Sequence, residues 1–242
     1  LETVYLDLLG ENGEWRKKYP ATIYVAGNAD HGLAKRSPML DLDLNVRAFL
    51  NFMKKFRGSL ALLSSQSVYY GLEGKILETV DHVPTTPYGL SKQMTEAYAK
   101  YFLKNGYLSK LWIFRLAYAF GKGEIERRLI PKCAKAVRNR EKVTLFGGGK
   151  SLVNPLPSDF VAKILVKAAE HLKVANSGFM EITNMNYPEK VTARDLVVSL
   201  TQIKPFDFLV DDAGEEWPVR FWGDTQNLSS HMREWKVDFP DL

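Results

Sequence analysis

The chain predicts an α/β fold, a doubly wound parallel sheet with both faces covered, and three observations carry that expectation. Leu60-Ala-Leu-Leu63 and Lys110-Leu-Trp-Ile-Phe-Arg115-Leu116 are short apolar runs bounded by turn residues, without the alternation of a half-exposed strand. That pattern suits strands buried on both faces of a parallel sheet. The stretches Pro38 to Phe56 and Tyr88 to Phe102 have helical periodicity, so helices fall between the strand candidates, as crossover connections require.

In chain order, Glu2-Thr-Val-Tyr-Leu-Asp7-Leu8 reads as a first strand with a polar end. Gly10 and Gly13 follow among Glu11, Asn12 and Glu14, a turn rather than a phosphate-binding loop. Thr22-Ile-Tyr-Val-Ala-Gly-Asn28 is a second strand candidate, and its small residues at the end let another molecule approach the backbone. From Pro38 to Phe56 an apolar stripe of Leu42, Val46, Phe49, Leu50 and Met53 sits at three- and four-residue steps, with Asn45 beside it. A polar residue on an inward face needs a partner.

Ser64-Ser-Gln-Ser-Val-Tyr-Tyr-Gly71 follows the Leu60 strand, placing hydroxyls at the carboxyl edge where open α/β sheets bind ligands. After Pro84-Thr-Thr-Pro87, Tyr88 and Lys92 are spaced i to i+4 and share one helix face. A lysine beside a phenol stabilises the phenolate and makes it a general base near neutral pH. Tyr118 and Lys122 repeat the spacing without the strand end, the serine cluster or the helix start.

Composition excludes several function classes. With 242 residues, 45% hydrophobic and 12% aromatic, the chain can bury a full core. One cysteine, Cys133, forbids an intrachain disulfide, and no run is long enough to cross a bilayer, so a cytoplasmic protein is expected. The net charge of +5 is concentrated between Arg127 and Lys142, where Arg128, Lys132, Lys135 and Arg138 make a stripe read as a solvated helix face. No nucleic-acid motif accompanies it. Val143-Thr-Leu-Phe-Gly-Gly-Gly-Lys150-Ser151 is no phosphate loop, because Thr144 stands where that motif needs glycine. Phe179 to Asn184 reads as a strand, and Thr192-Ala-Arg-Asp195 as a capping box.

Ser64-Ser65-Gln-Ser-Val68-Tyr69, Glu78, Pro84-Thr-Thr-Pro-Tyr88-Gly-Leu-Ser-Lys92 and Glu96 together resemble the extended short-chain dehydrogenase/reductase family, in its NAD-dependent sugar epimerase/dehydratase branch. The resemblance runs from Glu2 to about Trp235. It implies a Rossmann-like fold whose first glycine-rich β-α-β unit is not in this sequence, over residues 1–120, and a smaller substrate-binding region over 121–242 interleaved with the last Rossmann elements. It further implies a catalytic Ser65, Tyr88 and Lys92, with NAD or NADP held by Asp7, Leu8, Val25, Ala26, Gly27, Asn45, Tyr88 and Lys92. Gln66, Ser67 and Tyr118 take substrate positions, and Val143 to Gly149 resembles the family's hairpin before the segment that closes over substrate.

Departures from the family pattern narrow the function. The family asparagine and proline after the Lys110 strand are Tyr118 and Lys122, and Leu152 and Val153 stand where an arginine often meets the nucleotide diphosphate. Gln66 and Ser67 replace the Asp-Glu pair that dehydratases use for eliminating water. The expected function is therefore an NAD(P)-dependent epimerase of a nucleotide sugar, working as a homodimer. The alternatives are an NADP-dependent carbonyl reductase and a non-catalytic ligand-binding or assembly relative that has lost cofactor binding.

Overall fold

The computed structural model describes residues 19–124, 126–212 and 218–241. In chain order the elements are β1 (Thr22–Tyr24), α1 (His31–Arg36), α2 (Pro38–Leu42), a π-helical turn (Asp43–Arg47), α3 (Ala48–Lys55), β2 (Gly58–Ser65), a 3-10 turn (Gln66–Tyr69), β3 (Gly74–Ile76), α4 (Pro87–Lys104), β4 (Leu108–Leu116) and β5 (Tyr118–Phe120). Then come α5 (Leu129–Asn139), β6 (Val143–Leu145), β7 (Pro155–Pro157), α6 (Ser158–Val174), β8 (Met180–Met185), α7 (Ala193–Ile203), β9 (Phe208–Val210), β10 (Phe221–Gly223) and α8 (Gln226–Trp235). The strand expected over Glu2–Leu8, with Asp7 and Leu8, lies outside the described residues.

The chain forms two compact units: Leu1–Gly71 with Thr79–Arg115 and Ile164–Thr183, and Leu72–Glu78 with Leu116–Lys163 and Asn184–Leu242. In the first, the sheet runs β1-β2-β4-β8, and β1 pairs with β2 in parallel, Thr22 opposite Leu60 and Tyr24 opposite Leu62. Alternate residues of β4 explain its unbroken apolar run. Leu111 and Ile113 join Tyr24, Phe49, Phe52, Met53, Leu60, Leu62 and Ala99 in a core beneath α3 and α4. Trp112 instead meets His171 of α6 and Phe179, with ring centroids 5.2 and 5.4 Å apart, and donates to Thr183 Oγ1 at 2.9 Å. With helices on both faces, the period-two signal of an exposed face vanishes.

Among the described residues the second unit holds three two-stranded parallel pairs, β3 with β10, β5 with β7 and β6 with β9. The expected hairpin after Val143 is therefore corrected: β6 pairs in parallel with the distant β9. Cys133, Ala136, Val143, Leu145 and Val197 form its core, and burial pushes the Cys133 thiol up to about 11. Thr192 and Asp195 make the capping box reciprocally. Of the expected basic stripe, Arg128, Lys132 and Arg138 are exposed and Lys135 is half-buried. Among the described residues no helix is long and apolar enough to cross a membrane, and no cluster of metal-ligating side chains occurs.

Candidate functional site

In the first unit, the end of β2 splits its two serines between different tasks. Ser64 Oγ donates to Glu96 Oε1 on α4 at 2.6 Å, and Arg115 of β4 closes on the same carboxylate, Nε to Oε1 at 3.1 Å and Nη2 to Oε2 at 2.7 Å. Arg115 Nη1 also donates to the Tyr69 hydroxyl at 2.8 Å. All four side chains are buried. Burial opposes the Arg115 charge, yet the Glu96 bonds outweigh it and hold the guanidinium above its ordinary value. This network clamps β2 and β4 to the helix carrying Tyr88 and Lys92, and it commits Ser64 to structure. Ser65 instead caps the 3-10 turn: its Oγ accepts from Ser67 N at 3.1 Å and donates to Ser67 Oγ at 3.0 Å.

α4 begins where Thr86 accepts from Gly89 N at 3.2 Å, with Pro87 at its first position. Pro there sacrifices no hydrogen bond, since the first-turn N–H groups have no helical partner. A Cβ on Gly89 would fall 2.2 Å from the Ser67 carbonyl oxygen, so the first turn of α4 sits directly against the turn after β2. This close seating brings the Tyr88 end of α4 beside the serines. The His31 ring at the start of α1 lies between them, 4.4 Å from the Tyr88 ring by centroids, with its Nε2 3.3 Å from Ser67 Oγ.

One turn along α4, Lys92 Nζ is 5.7 Å from the Tyr88 ring centroid. Burial lowers the Lys92 amine to about 8, against the opposing pull of Asp41 and Glu96. An amine so placed is close to half-charged in mildly alkaline water, and its positive form favours a neighbouring phenolate.

Asn45 lies in the π-helical turn, a widening frequent at functional sites. Its amide nitrogen donates to Asp41 Oδ1 and to Ser91 Oγ, both at 2.9 Å, and Ser91 passes its proton to the Tyr88 carbonyl at 3.0 Å. Asn28 Nδ2 donates to the same Asp41 oxygen at 2.7 Å, so a fully buried carboxylate orders two asparagines. With its nitrogen committed, Asn45 Oδ1 is buried without a hydrogen-bond partner. It faces Gly27, whose added Cβ would meet it at 2.5 Å and Lys92 Nζ at 3.2 Å. Gly27 has φ +134°, which disfavours any side chain. A bare backbone flanked by a buried acceptor and an amine donor fits a hydroxylated group such as a dinucleotide ribose. A small cavity lined by Tyr24, Ala26, Asn45, Leu62, Ser64 and Lys92 adjoins it.

Of the residues singled out in the sequence, Ser65, Ser67, Tyr88, Lys92, Asn45, Ala26 and Gly27 come together in this unit. Gln66 is buried in the same 3-10 turn, whereas Val25 is 61% exposed. Tyr118 belongs to the second unit, where burial pushes its phenol up, its hydroxyl donates to Glu124 at 2.6 Å, and Arg128 lies 4.2 Å over its ring. Asp7 and Leu8 lie outside the described residues. Sequence reasoning missed His31, Asp41 and Asn28. Their partners are distant in sequence or, for Asp41, sit in an apolar stripe, so no local pattern marked them.

Fold and site together define a Rossmann-like α/β protein with a buried Tyr88–Lys92 pair beside a serine turn. Residues 4–182 match the NAD dependent epimerase/dehydratase family, and the chain belongs to it. Among solved structures it is similar to MoeE5 in complex with UDP-glucuronic acid and NAD, at TM-score 0.80 and 19% identity, covering 98% of this chain and 78% of that one. It is also similar to UDP-N-acetylglucosamine 4-epimerase from Methanobrevibacter ruminantium M1 in complex with UDP-N-acetylmuramic acid, at 0.77 and 20%, covering 93% and 73%. RMD from Pseudomonas aeruginosa complexed with NADPH matches at 0.76 and 21%, covering 94% and 80%. No curated protein matches the chain significantly.

Proposed function

We propose that this chain is an NAD(P)-dependent epimerase of a nucleotide sugar, with its dinucleotide on the first unit and substrate contacts from Gln66 and Ser67 of that same unit. The observation that carries the reading is the buried Tyr88–Lys92 pair seated against the Ser65 turn, with Gly27 and Asn45 beside the lysine. Family membership and NAD or NADPH in the solved relatives support the cofactor. When bound, the dinucleotide would supply the hydride acceptor and donor for the sugar carbon.

The residues of this chain handle the proton and the geometry. Tyr88 as phenolate removes the proton from the sugar hydroxyl, and Ser65 holds that hydroxyl in line. Lys92 keeps positive charge beside the phenolate and, with Asn45 Oδ1, would hold the ribose hydroxyls of the dinucleotide. Gln66 and Ser67 have no acid or base strength for eliminating water, which favours epimerisation over dehydration. A homodimer is supported by the exposed apolar residues Leu90, Met94, Tyr98 and Tyr101, which recur at helical steps along α4. A monomer by light scattering would remove it.

The test is incubation of the natural protein with NAD and UDP-sugars, following the epimer by chromatography. The wild type is expected to interconvert one epimeric pair, and Tyr88→Phe to lose at least about 100-fold in rate, as removal of a general base does. Equal rates in the two proteins would overturn the assignment.

A further inference from the structure

Asp41 is fully buried in α2, and its Oδ1 receives two donors, Asn28 Nδ2 at 2.7 Å and Asn45 Nδ2 at 2.9 Å. Its Oδ2 has no hydrogen-bond partner among the described residues, so the two asparagines carry all of its hydrogen bonding there. Asn45 spends its second N–H on Ser91 Oγ at 2.9 Å. These two acceptors differ in what they permit. A hydroxyl can meet an amide in either sense, because it both donates and accepts, whereas an ionised carboxylate offers only lone pairs. Asp41 therefore admits the amide nitrogen and refuses the amide oxygen, and Ser91 conforms by giving its own proton to the Tyr88 carbonyl. The Asn45 carbonyl is left facing Gly27, beside Lys92 Nζ.

We propose that Asp41 is a positioning residue for the dinucleotide, holding Asn45 with its carbonyl turned to the Gly27 backbone so that this cradle meets a ribose hydroxyl with one acceptor and one donor. This rests on the functional reading above, in which the cradle receives that ribose. Asn45 Oδ1 accepts from the hydroxyl and Lys92 donates to it, so no proton is claimed twice. With the amide reversed, Asn45 and the Lys92 ammonium would both aim donors at one oxygen, and the hydroxyl proton would lack an acceptor. The same carboxylate reaches the other wall of the cradle. Asn28, which directly follows Gly27, is tied to Asp41 through Nδ2, and its Oδ1 is occupied by Asp30 N at 2.8 Å. Asp41 thus fixes the Gly27 backbone and the Asn45 carbonyl from one point. None of these bonds draws on the sugar hydroxyl that Tyr88 deprotonates.

Two measurements test the proposal. The first needs no dinucleotide: in asparagine-labelled natural protein, proton NMR is expected to place the Asn45 amide hydrogens nearer to Ser91 than to Gly27. The reverse order would overturn the proposal. The second compares, by calorimetric titration, the binding of NAD with that of its analogue lacking both hydroxyls on the nicotinamide ribose. The wild type is expected to prefer NAD. Asp41→Ala is expected to reduce that preference about tenfold, the worth of one hydrogen bond, because a water in place of the carboxylate can meet Asn45 in either sense. Equal weakening of both ligands, with the preference intact, would sink the idea and reduce Asp41 to a packing role. If Asp41→Ala does not fold, the wild-type NMR result decides alone. Failure of the functional reading shows separately, as a wild type that binds NAD and the analogue alike, which removes the ribose from the cradle and the proposal with it.

Discussion

Replacing Gly89 with alanine tests how tightly the first turn of α4 is seated. The added Cβ would lie 2.2 Å from the Ser67 carbonyl oxygen, 2.9 Å from Pro84 Cβ and 3.0 Å from the Ser67 carbonyl carbon. Two of these neighbours are backbone, which cannot swing aside as a flexible side chain could. Relief requires the helix start and the serine turn to part by about 1 Å, a displacement that typically costs on the order of 100-fold in rate when it separates catalytic groups. Forcing a methyl into a filled site also costs roughly 1–3 kcal/mol. For a chain of this size that lowers the melting temperature by about 2–4 °C per kcal/mol. Calorimetry and the epimerisation assay should therefore both register the change, with activity losing more than the stability loss explains. An alanine variant of wild-type melting temperature and wild-type rate would refute the close docking of α4 on the Ser65–Ser67 turn.

Three further outcomes follow from the same geometry. Glu96→Ala leaves Arg115 buried without its carboxylate and frees Ser64, and a lost partner in a buried pair costs roughly 3–5 kcal/mol, readable by denaturant unfolding. Lys92 has an amine lowered from 10.5 to about 8, chiefly by burial, so between those values the unfolded chain binds more protons and native stability rises with pH. The advantage of Lys92→Met over wild type should thus be largest below pH 8 and shrink by roughly 3 kcal/mol towards pH 10.5; a constant difference would contradict the buried amine. Gly27→Ala places a methyl 2.5 Å from Asn45 Oδ1 and should weaken NAD or NADP binding by about tenfold or more in a calorimetric titration, an interaction between buried polar groups being worth that much. Undiminished affinity would remove the cradle from the cofactor site.

The fold was legible wherever burial is symmetrical. The apolar runs before Ser64 and around Trp112 read as buried strands because helices cover both sheet faces. The start of α4 was legible from Pro87 and the Tyr88–Lys92 spacing, and Asn45 from its place beside an apolar stripe. The stripe was less regular than its spacing implied. The π-helical turn shifts the register, so Asp41 is fully buried and Leu42 and Leu50 only partly so. A carboxylate among apolar residues gives no sequence sign of the two asparagines that compensate it. The family resemblance picked Ser65 over Ser64, while the residues alone gave no such ground, because the Glu96 that engages Ser64 stands 32 residues away. His31 was invisible for the same reason, since its bond to Ser67 spans 36 residues and follows no local pattern. The β6–β9 pairing failed as a hairpin because a glycine-rich turn says only that the chain reverses, while the partner strand is chosen by packing.

The most direct test of the proposed chemistry is epimerisation by the natural protein in D2O, with the product examined by proton NMR. Transient oxidation carries the carbon-bound hydrogen to the nicotinamide and back, so the inverted carbon should keep its protium while the hydroxyls exchange. Deuterium at that carbon would mean that Tyr88 and its neighbours work by carbon deprotonation instead. Absence of any epimer from a protein that binds the dinucleotide would contradict the epimerase assignment itself.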